Sequence, residues 1–500
     1  MNKRKMTSIA GAAILLSALT LSSCKKDRDN DDVVMGPDVN AYVLTENNDL
    51  YMVNAMTNAT SGQVTISGLD GEDKLIGIDF RPATGQLYGI SNGSRIYVID
   101  LKTGAARAIG SAAITPALSG DITGFDFNPT VDRIRIVTAE GQNLRVHPET
   151  GAIAATDGAV ANTSTITSVA YTDNRAGTST TTLYDIDARN NKLFKQDPPN
   201  DGTLVEVGNL DVDAEDAGGF DIGPDGSALA ALTVNGTSAL YTIDINSGRA
   251  RRIGNLSGKV VGLAIPTDPV AYVISAANEL VIYNNLSGST VAKAITGLQP
   301  NETVLGIDSR PVNGQLYVLG SSSRVYTLNA SSGAATAVGT STFSTPLSGT
   351  SFGFDFNPTV DRIRIVSNTG QNLRVHPETG VVAFVDGMLK PGTPSVTAAA
   401  YTNNFAGTTA TVLYDIDSET NMLYKQDPPN EGTLAPVGPL GIDVTAANGF
   451  DIGSTSGTSY ALLTTSAGTK LYSVSLTTGT ATVIRDFPFE AKGFTLGLGF

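Results

Sequence analysis

The chain has 500 residues, of which 41% are hydrophobic, so it is long enough for several domains and a large core. Its formal net charge of −15 lacks the positive surface that binding to nucleic acid or to an anionic membrane requires. Its 53 glycines, many Ser and Thr and absence of tryptophan favour short strands and tight turns over helices. We therefore predict an all-β protein.

The N-terminus predicts export. Residues 1–23 have a basic start at residues 3–5 and an apolar run over residues 9–21, as in a signal peptide. The sequence Leu-Ser-Ser-Cys at residues 21–24 resembles a bacterial lipobox, which implies cleavage before Cys24 and a lipid on its sulfur. An ordinary signal peptide with an incidental cysteine is the alternative. Because Cys24 is the one cysteine in the sequence, no disulfide is expected.

Residues 24–38 have the composition of a flexible, acidic tether without core residues. The acids that follow Cys24 resemble the surface-export tag of Bacteroidetes lipoproteins. The predicted location is therefore the outer membrane or the cell surface, with the lipid as the sole contact with the membrane.

The rest of the chain is a tandem duplication, predicted as residues 39–266 and 267–500. Gly77-Ile-Asp returns at Gly306-Ile-Asp, and Gly219-Phe-Asp-Ile returns at Gly449-Phe-Asp-Ile, at offsets of 229 and 230. Within each half, strand starts of this type recur every 43 to 51 residues, and each is followed by three more strand-like segments. Four short strands per repeat are typical of a β-propeller blade, so we predict ten four-stranded units, five in each half.

Two closures fit this pattern. Either each half forms a five-bladed ring, with residues 260–265 closing the first, or all ten units form one large ring. The junction Gly262–Val273 resembles a hairpin between two strands of one blade, and residues 494–500 resemble the first strand of a blade that residues 40–69 complete. Both features favour one large ring, whereas propellers usually have at most about eight blades.

The longest repeated stretch is GFDFNPTVDRIRIVTAEGQNLRVHPETG at residues 124–151, which returns almost unchanged at residues 353–380. Together with the repeated LYDID and QDPPN segments, it resembles the bacterial family DUF4394, a domain of unknown function. The resemblance covers nearly all of the chain after Met35, once per half. It implies no activity and no catalytic residues.

The same stretch contains both histidines and carries the first candidate site. Strand alternation and a hairpin place three arginines and one histidine on one face of the sheet. The residues are Arg133, Arg135, Arg145 and His147 in the first half, and Arg362, Arg364, Arg374 and His376 in the second. The cluster is predicted either to bind a carboxylate, a sulfate or an acidic sugar, or to form a buried network between blades with acids such as Asp126, Asp132 or Glu149.

Carboxylates supply the second candidate. An aspartate follows the unit-start glycine by two residues at Asp79, Asp126, Asp221, Asp308, Asp355 and Asp451. These side chains are predicted to lie at the propeller axis, where they either serve glycosidase chemistry or accept backbone hydrogen bonds between blades. Separately, Asp211, Asp213, Glu215, Asp216 and Asp221 offer oxygen ligands for Ca²⁺. The alternative is solvated loop acids, and otherwise no cofactor and no metal site is predicted.

The third candidate is the loop Lys195–Asn200, repeated at residues 425–430, whose two prolines fix an extended conformation. It is predicted either to stiffen the blade or to face a ligand at the rim.

The sequence contains no HExxH, CxxC or phosphate-loop motif. The favoured function is therefore that of a lipid-anchored envelope propeller that binds a glycan or a protein. The alternative is a propeller glycoside hydrolase or lyase that uses the axial aspartates and the Arg/His face.

Overall fold

The structure, a computed structural model, describes residues 33–120, 123–160 and 164–500. Over these ranges the chain forms forty strands in ten four-stranded antiparallel sheets, which confirms the predicted fold class. Single-turn 3-10 helices lie at Pro199–Asp201 and Pro429–Glu431. The predicted signal peptide, Cys24 and the tether as far as residue 32 lie outside the described residues.

The strands of the first half are β1 Asn40–Thr45, β2 Asp49–Asn54, β3 Thr60–Thr65, β4 Leu75–Phe80, β5 Leu87–Ser91, β6 Ile96–Ile99, β7 Ala106–Ala108, β8 Thr123–Asn128, β9 Arg133–Thr138, β10 Asn143–Val146, β11 Ile153–Thr156, β12 Ser168–Tyr171, β13 Leu183–Asp187, β14 Lys192–Gln196, β15 Leu204–Asn209, β16 Asp216–Ile222, β17 Ala228–Val234, β18 Thr237–Ile243, β19 Ala250–Asn255 and β20 Val260–Ala264.

Those of the second half are β21 Val270–Ser275, β22 Glu279–Asn284, β23 Thr290–Ala294, β24 Val304–Ser309, β25 Leu316–Gly320, β26 Arg324–Leu328, β27 Ala335–Ala337, β28 Phe352–Asn357, β29 Arg362–Ser367, β30 Asn372–Val375, β31 Val382–Val385, β32 Val396–Tyr401, β33 Leu413–Asp417, β34 Met422–Gln426, β35 Leu434–Pro439, β36 Asn448–Ile452, β37 Ser459–Thr465, β38 Gly468–Val474, β39 Ala481–Asp486 and β40 Ala491–Leu496.

Each sheet is one propeller blade. Blade 1 consists of β20 and β1–β3, and blades 2 to 5 take β4–β19 in order. Blade 6 consists of β40 and β21–β23, and blades 7 to 10 take β24–β39. The innermost strands β20, β4, β8, β12 and β16 contact one another in a closed cycle, and so do β40, β24, β28, β32 and β36. The chain therefore forms two five-bladed rings.

The expectation of one large ring is thus wrong. Strand β20 pairs with β1, where Val43 lies opposite Leu263, and β40 pairs with β21, where Val273 lies opposite Phe494. The junction Gly262–Val273 is not a hairpin, because its two strands belong to different rings. Residues 40–69 are likewise completed by β20 and not by the C-terminal strand. Each ring closes on itself and so leaves no unpaired innermost strand.

The hydrophobic core lies in layers between neighbouring blades, as between blades 2 and 3, where Tyr88, Phe127 and Ile134 pack together. Near the axis the blades approach so closely that side chains do not fit. A Cβ at Gly219 would collide with the backbone nitrogen of Leu263 in the next blade. This close approach explains why four of the five innermost strands of the first ring carry a glycine two residues before the axial position.

The two rings contact each other at the ends where their innermost strands finish. The Tyr272 hydroxyl of the second ring donates to the Ala83 carbonyl of the first at 2.8 Å. The amide of Gly499 donates to the Thr84 carbonyl at 2.8 Å, and the ring of Phe500 packs on Gly85. The innermost strands of each ring begin at its opposite end, which carries none of these inter-ring contacts within the described residues. None of the helices in the described ranges is long and apolar enough to span a bilayer.

Candidate functional site

The predicted axial aspartates do lie together, three in each ring. Carboxylate oxygens of Asp79, Asp126 and Asp221 lie within 4.8 Å of one another, as do those of Asp308, Asp355 and Asp451. All six side chains are about 1% exposed. A substrate outside the ring does not reach groups buried to this degree, which removes the geometric support for their use as glycosidase carboxylates.

These aspartates fasten one blade to the next. Asp79 accepts from its neighbour Phe80 N at 2.7 Å and from Phe127 N of the following blade at 2.8 Å. Asp126 accepts from Tyr171 N at 3.2 Å, and Asp221 accepts from Ile265 N at 2.5 Å. The inter-blade hydrogen bonds foreseen as one of two roles are therefore present. The same pattern returns in the second ring, where Asp308, Asp355 and Asp451 accept from Phe356, Tyr401 and Leu496.

Burial and mutual repulsion favour the protonated form of these carboxyls. Burial, and then the charge of Asp221, raise the pKa of Asp79 well above its usual range. Burial raises the pKa of Asp221 to about 6, against the hydrogen bonds that it accepts. The second ring adds a hydroxyl: Thr495 Oγ1 donates to Asp308 at 2.9 Å, whereas the corresponding residue of the first ring is Ala264.

The Arg/His face is occupied by protein partners. Strand register places Arg135 opposite Arg145, as alternation predicts. Arg135 is 1% exposed and donates to Asn143 and Asp157 at 2.7 Å, to Asn200 at 2.8 Å and to Tyr171 at 3.2 Å. Because Tyr171 and Asn200 belong to blade 4, this guanidinium joins blade 4 to blade 3.

The acid that pairs with Arg135 and Arg145 is Asp157, which is not one of the predicted partners. Arg145 forms a bidentate pair with Asp157, with both contacts at 2.8 Å. Asp132 and Glu149, which were expected to pair with the clustered arginines, bind Arg81 of blade 2 instead, and Asp126 lies at the axis. The second ring repeats the arrangement: Arg364 and Arg374 share Asp386, and Arg364 also contacts Tyr401, Asn372 and Asn430.

The remaining members of the cluster have local roles. Arg133 donates to the Asp132 carbonyl at 2.7 Å, and Arg362 does the same at Asp361 at 2.8 Å. Partial burial, and then the charge of Arg133, lower the pKa of His147. Nδ1 of His376 accepts the amide of Glu378 at 3.2 Å. None of these arginine and histidine side chains lines the cavities at the open ends of the rings or the cavity between the rings.

The repeated proline loop belongs to the same network. Asn200 follows the two prolines, and its side chain accepts from Arg135. The Asn143 amide donates to the Pro199 carbonyl at 3.0 Å. Stiffening of the blade, one of the two predicted roles, agrees with these contacts.

The five acids considered for calcium are dispersed. Asp211 lies 3.6 Å from Arg249, Asp213 accepts from Asn191 at 3.1 Å, and Glu215 accepts from Gly236 N at 3.1 Å. Asp221 is at the axis and Asp216 lines a cavity at the end of the ring. The structure does not bring these side chains together as one ligand set.

Two further aspartates, one in each ring, are buried without an ion-pair partner among the described residues, which was not predicted from the sequence. Asp185 and Asp415, in the repeated LYDID segments, are fully buried, and neither carboxylate has a hydrogen-bond partner within the described protein. Burial raises the pKa of each to about 8, although the charge of Arg135 or Arg364 acts in the opposite direction. These carboxyls are therefore neutral over most of the physiological range.

The open end of the first ring holds a cavity of about 270 Å³ over the axis, which we call the funnel. Its wall includes Thr123, Thr167, Ser168, Asp216 and Lys259, from four of the five blades. Asp216 Oδ1 and Thr123 Oγ1 are buried and have no hydrogen-bond partner within the described protein. Burial raises the pKa of Asp216, and Lys259 opposes the shift.

The second ring has changed at these positions. In the place of Thr123, Asp216 and Lys259 it carries Phe352, Ala446 and Glu490. The residues equivalent to the funnel wall line a cavity of only about 10 Å³ over the axis of the second ring, and a separate cavity of about 500 Å³ lies beside it against residues 347–352. The two rings thus share the Arg network and the axial aspartates but differ at the mouth, which is the part free to adapt to a ligand.

Fold and site define a tandem of two five-bladed propellers with axial carboxylates and a polar funnel. The chain belongs to the family described as domain of unknown function (DUF4394), whose sequence profile matches residues 42–264 and again residues 279–496. Comparison with the curated proteins gives no match.

Several solved structures are similar at low identity. PorZ, an essential surface component of the type-IX secretion system of Porphyromonas gingivalis, is 14% identical with a TM-score of 0.26, and the match covers 89% of this chain and 60% of PorZ. The extracellular domain of a hybrid two-component system from B. thetaiotaomicron is 8% identical with a TM-score of 0.25, covering 91% of this chain and 66% of that one. A protein from Lactobacillus plantarum is 15% identical with a TM-score of 0.29, covering 66% and 98%. Scores this low carry no argument about function.

Proposed function

We propose that this protein is exported, anchored by a lipid on Cys24, and displayed on the envelope as a binding module. The signal-like residues 1–23 and the Leu-Ser-Ser-Cys sequence support the anchor. The ligand enters the funnel of the first ring, which opens on the end of the ring that faces away from the second ring.

The observation that carries the binding proposal is the pair of unpartnered buried oxygens in the funnel wall. A buried polar atom without a partner costs about 1–3 kcal/mol, and a ligand that supplies the missing hydrogen bonds recovers it. Asp216 accepts, Lys259 donates, the hydroxyls of Thr123 and Ser168 do both, and the hydroxyl of Thr167, which donates to the Ile186 carbonyl, accepts. A polyol offers the complementary mixture of donors and acceptors.

The ligand class that fits is therefore the end of a glycan chain. The volume of about 270 Å³ lies near the lower limit of small-ligand pockets, about 300–1,000 Å³, so one or two sugar rings enter rather than a folded protein surface. A protein partner that inserts a loop is the competing outcome of the test.

Oligosaccharide binding provides the measurement. We expect the full-length protein in detergent to retain at least one member of an envelope glycan panel. Asp216→Ala, which introduces the residue of the second ring, should weaken that binding at least about tenfold without lowering Tm. Glu490→Ala, at the position in the second ring equivalent to Lys259, is the matched control and should bind like the wild type. Absence of any retained glycan, or equal binding by Asp216→Ala, would remove the glycan assignment.

The anchor has a separate test. Cys24→Ala lacks the thiol that would carry the lipid, so this variant should move from the membrane fraction to the soluble fraction of the envelope. Fractionation followed by immunoblotting measures the shift. A variant that stays with the membrane would show that another part of the chain holds it there.

A further inference from the structure

The outermost strand of blade 8, β31, differs in character from its counterpart β11 in the first ring. Around β31 the side chains of Val381, Phe384, Val385 and Met388 are 56%, 54%, 62% and 66% exposed. The corresponding residues of the first ring are Ala152, Ala155, Thr156 and Ala159. Four large apolar side chains have thus replaced small ones on a solvent-exposed strand.

These side chains flank a free sheet edge. β31 is the last strand of its sheet and pairs with β30 alone within the described structure. Phe384 stacks on the guanidinium of Arg374 with 4.0 Å between the Arg374 Cζ and the ring centre, and alternation places Val385 on the opposite face. Charge and proline, which often protect such edges, are absent from residues 382–385, and the protection present is one register shift against β30, between Arg374 and Val375.

The size and shape of the patch favour one kind of occupant. Four side chains that are half to two thirds exposed amount to an apolar area on the order of 400 Å², the size associated with interaction sites. A stable dimer buries about 800 Å² on each partner, and a chain with a net charge of −15 repels its own copies. Because Phe384 and Val385 lie on opposite faces of β31, a partner strand that runs along the edge contacts both.

We propose that the outer edge of blade 8 binds an extended apolar segment of a partner protein by strand addition. The backbone of residues 382–385 supplies the main-chain hydrogen bonds. Phe384 and Val385 contact alternate side chains of the added strand on the two faces. The site lies on the rim of the second ring and does not depend on the funnel of the first.

Peptide binding to the full-length protein tests the proposal. The probes are fluorescent hexapeptides of alternating valine and threonine and of alternating leucine and serine, together with copies N-methylated at every second amide. We expect one alternating peptide to bind and its N-methylated copy to bind at least about tenfold more weakly, because methylation removes the ladder donors. The double variant Phe384→Ala/Val385→Thr, which installs the residues of the first ring, should bind at least about tenfold more weakly at unchanged Tm.

Controls separate the alternatives. Asp216→Ala should bind the peptide normally, so failure at the funnel and failure at the edge are distinguishable. The reverse exchange Ala155→Phe/Thr156→Val should create a second peptide site on the first ring. Absence of binding by both peptides, or equal binding of the N-methylated copies, would overturn the proposal. So would dimerisation or adsorption to phosphatidylethanolamine vesicles that the double variant abolishes, since either would assign the edge to a different occupant.

Discussion

Replacement of Arg135 by methionine is expected to lower the free energy of unfolding by about 3–5 kcal/mol. The guanidinium is 1% exposed and donates to Asp157, Asn143, Asn200 and Tyr171. Methionine fills much of the volume but leaves the buried side chains of Asn143 and Tyr171, and the exposed side chain of Asn200, without their charged donor. Asp157 keeps the bidentate contact with Arg145, which limits the loss. Urea unfolding monitored by tyrosine fluorescence measures the change.

Arg133→Met is the matched control for this prediction. It lies two residues away on the same strand, and it donates to the carbonyls of Val131 and Asp132, both within two residues of it. We expect a change within about 0.5 kcal/mol. Equal destabilisation by the two variants would show that Arg135 does not hold blades 3 and 4 together.

The second prediction concerns pH. Burial raises the pKa of Asp185 to about 8 in the folded protein, whereas an aspartate in an unfolded chain has a pKa near 3.9. Between these values the folded state keeps a proton that the unfolded state has lost, so this group makes the protein less stable as pH rises. Asp185→Asn removes the titration. Its stability relative to the wild type is expected to increase by on the order of 2–4 kcal/mol between about pH 5 and pH 8.

Asp415, the residue of the second ring equivalent to Asp185, allows the experiment to be repeated independently. Burial also raises the pKa of Asp415 to about 8, so Asp415→Asn should show the same gain with pH, and the double variant should add the two. Thermal unfolding of the four proteins across this pH range gives the comparison. Parallel stability curves for wild type and variants would mean that a buried partner keeps these carboxylates ionised.

Much of the fold can be predicted from short sequence patterns. The glycine and aspartate two residues apart mark the innermost strands because the glycine allows the blades to approach and the aspartate bonds to the next one. Short sequence patterns do not predict which strand closes each ring. β20 and β21 follow each other like a hairpin, and only the distant pairs Val43 with Leu263 and Val273 with Phe494 decide which ring each strand joins.

The site was predictable in part for the same reason. Alternation along the strands places Arg135 and Arg145 on one face. Their shared acid, Asp157, lies in the loop after the next strand, so strand alternation does not predict its position. A usable signal existed, since the pair Asp157-Gly158 returns as Asp386-Gly387. Arg81 was missed as well, although Arg310 repeats it with Asp361 at the same place. The funnel could not be found from repeats, because its residues are the ones that differ.

Closure of each ring by its own last strand bears on the order in which the chain folds during synthesis. The first ring has all of its strands once residue 264 has emerged, so it can fold while the second half is still unfolded. The second ring must wait for β40, which ends four residues before the C-terminus. The contacts of Gly499 and Phe500 with the turn at residues 84–85 form only after β40 has been made, so docking of the two rings through them follows closure of the second ring.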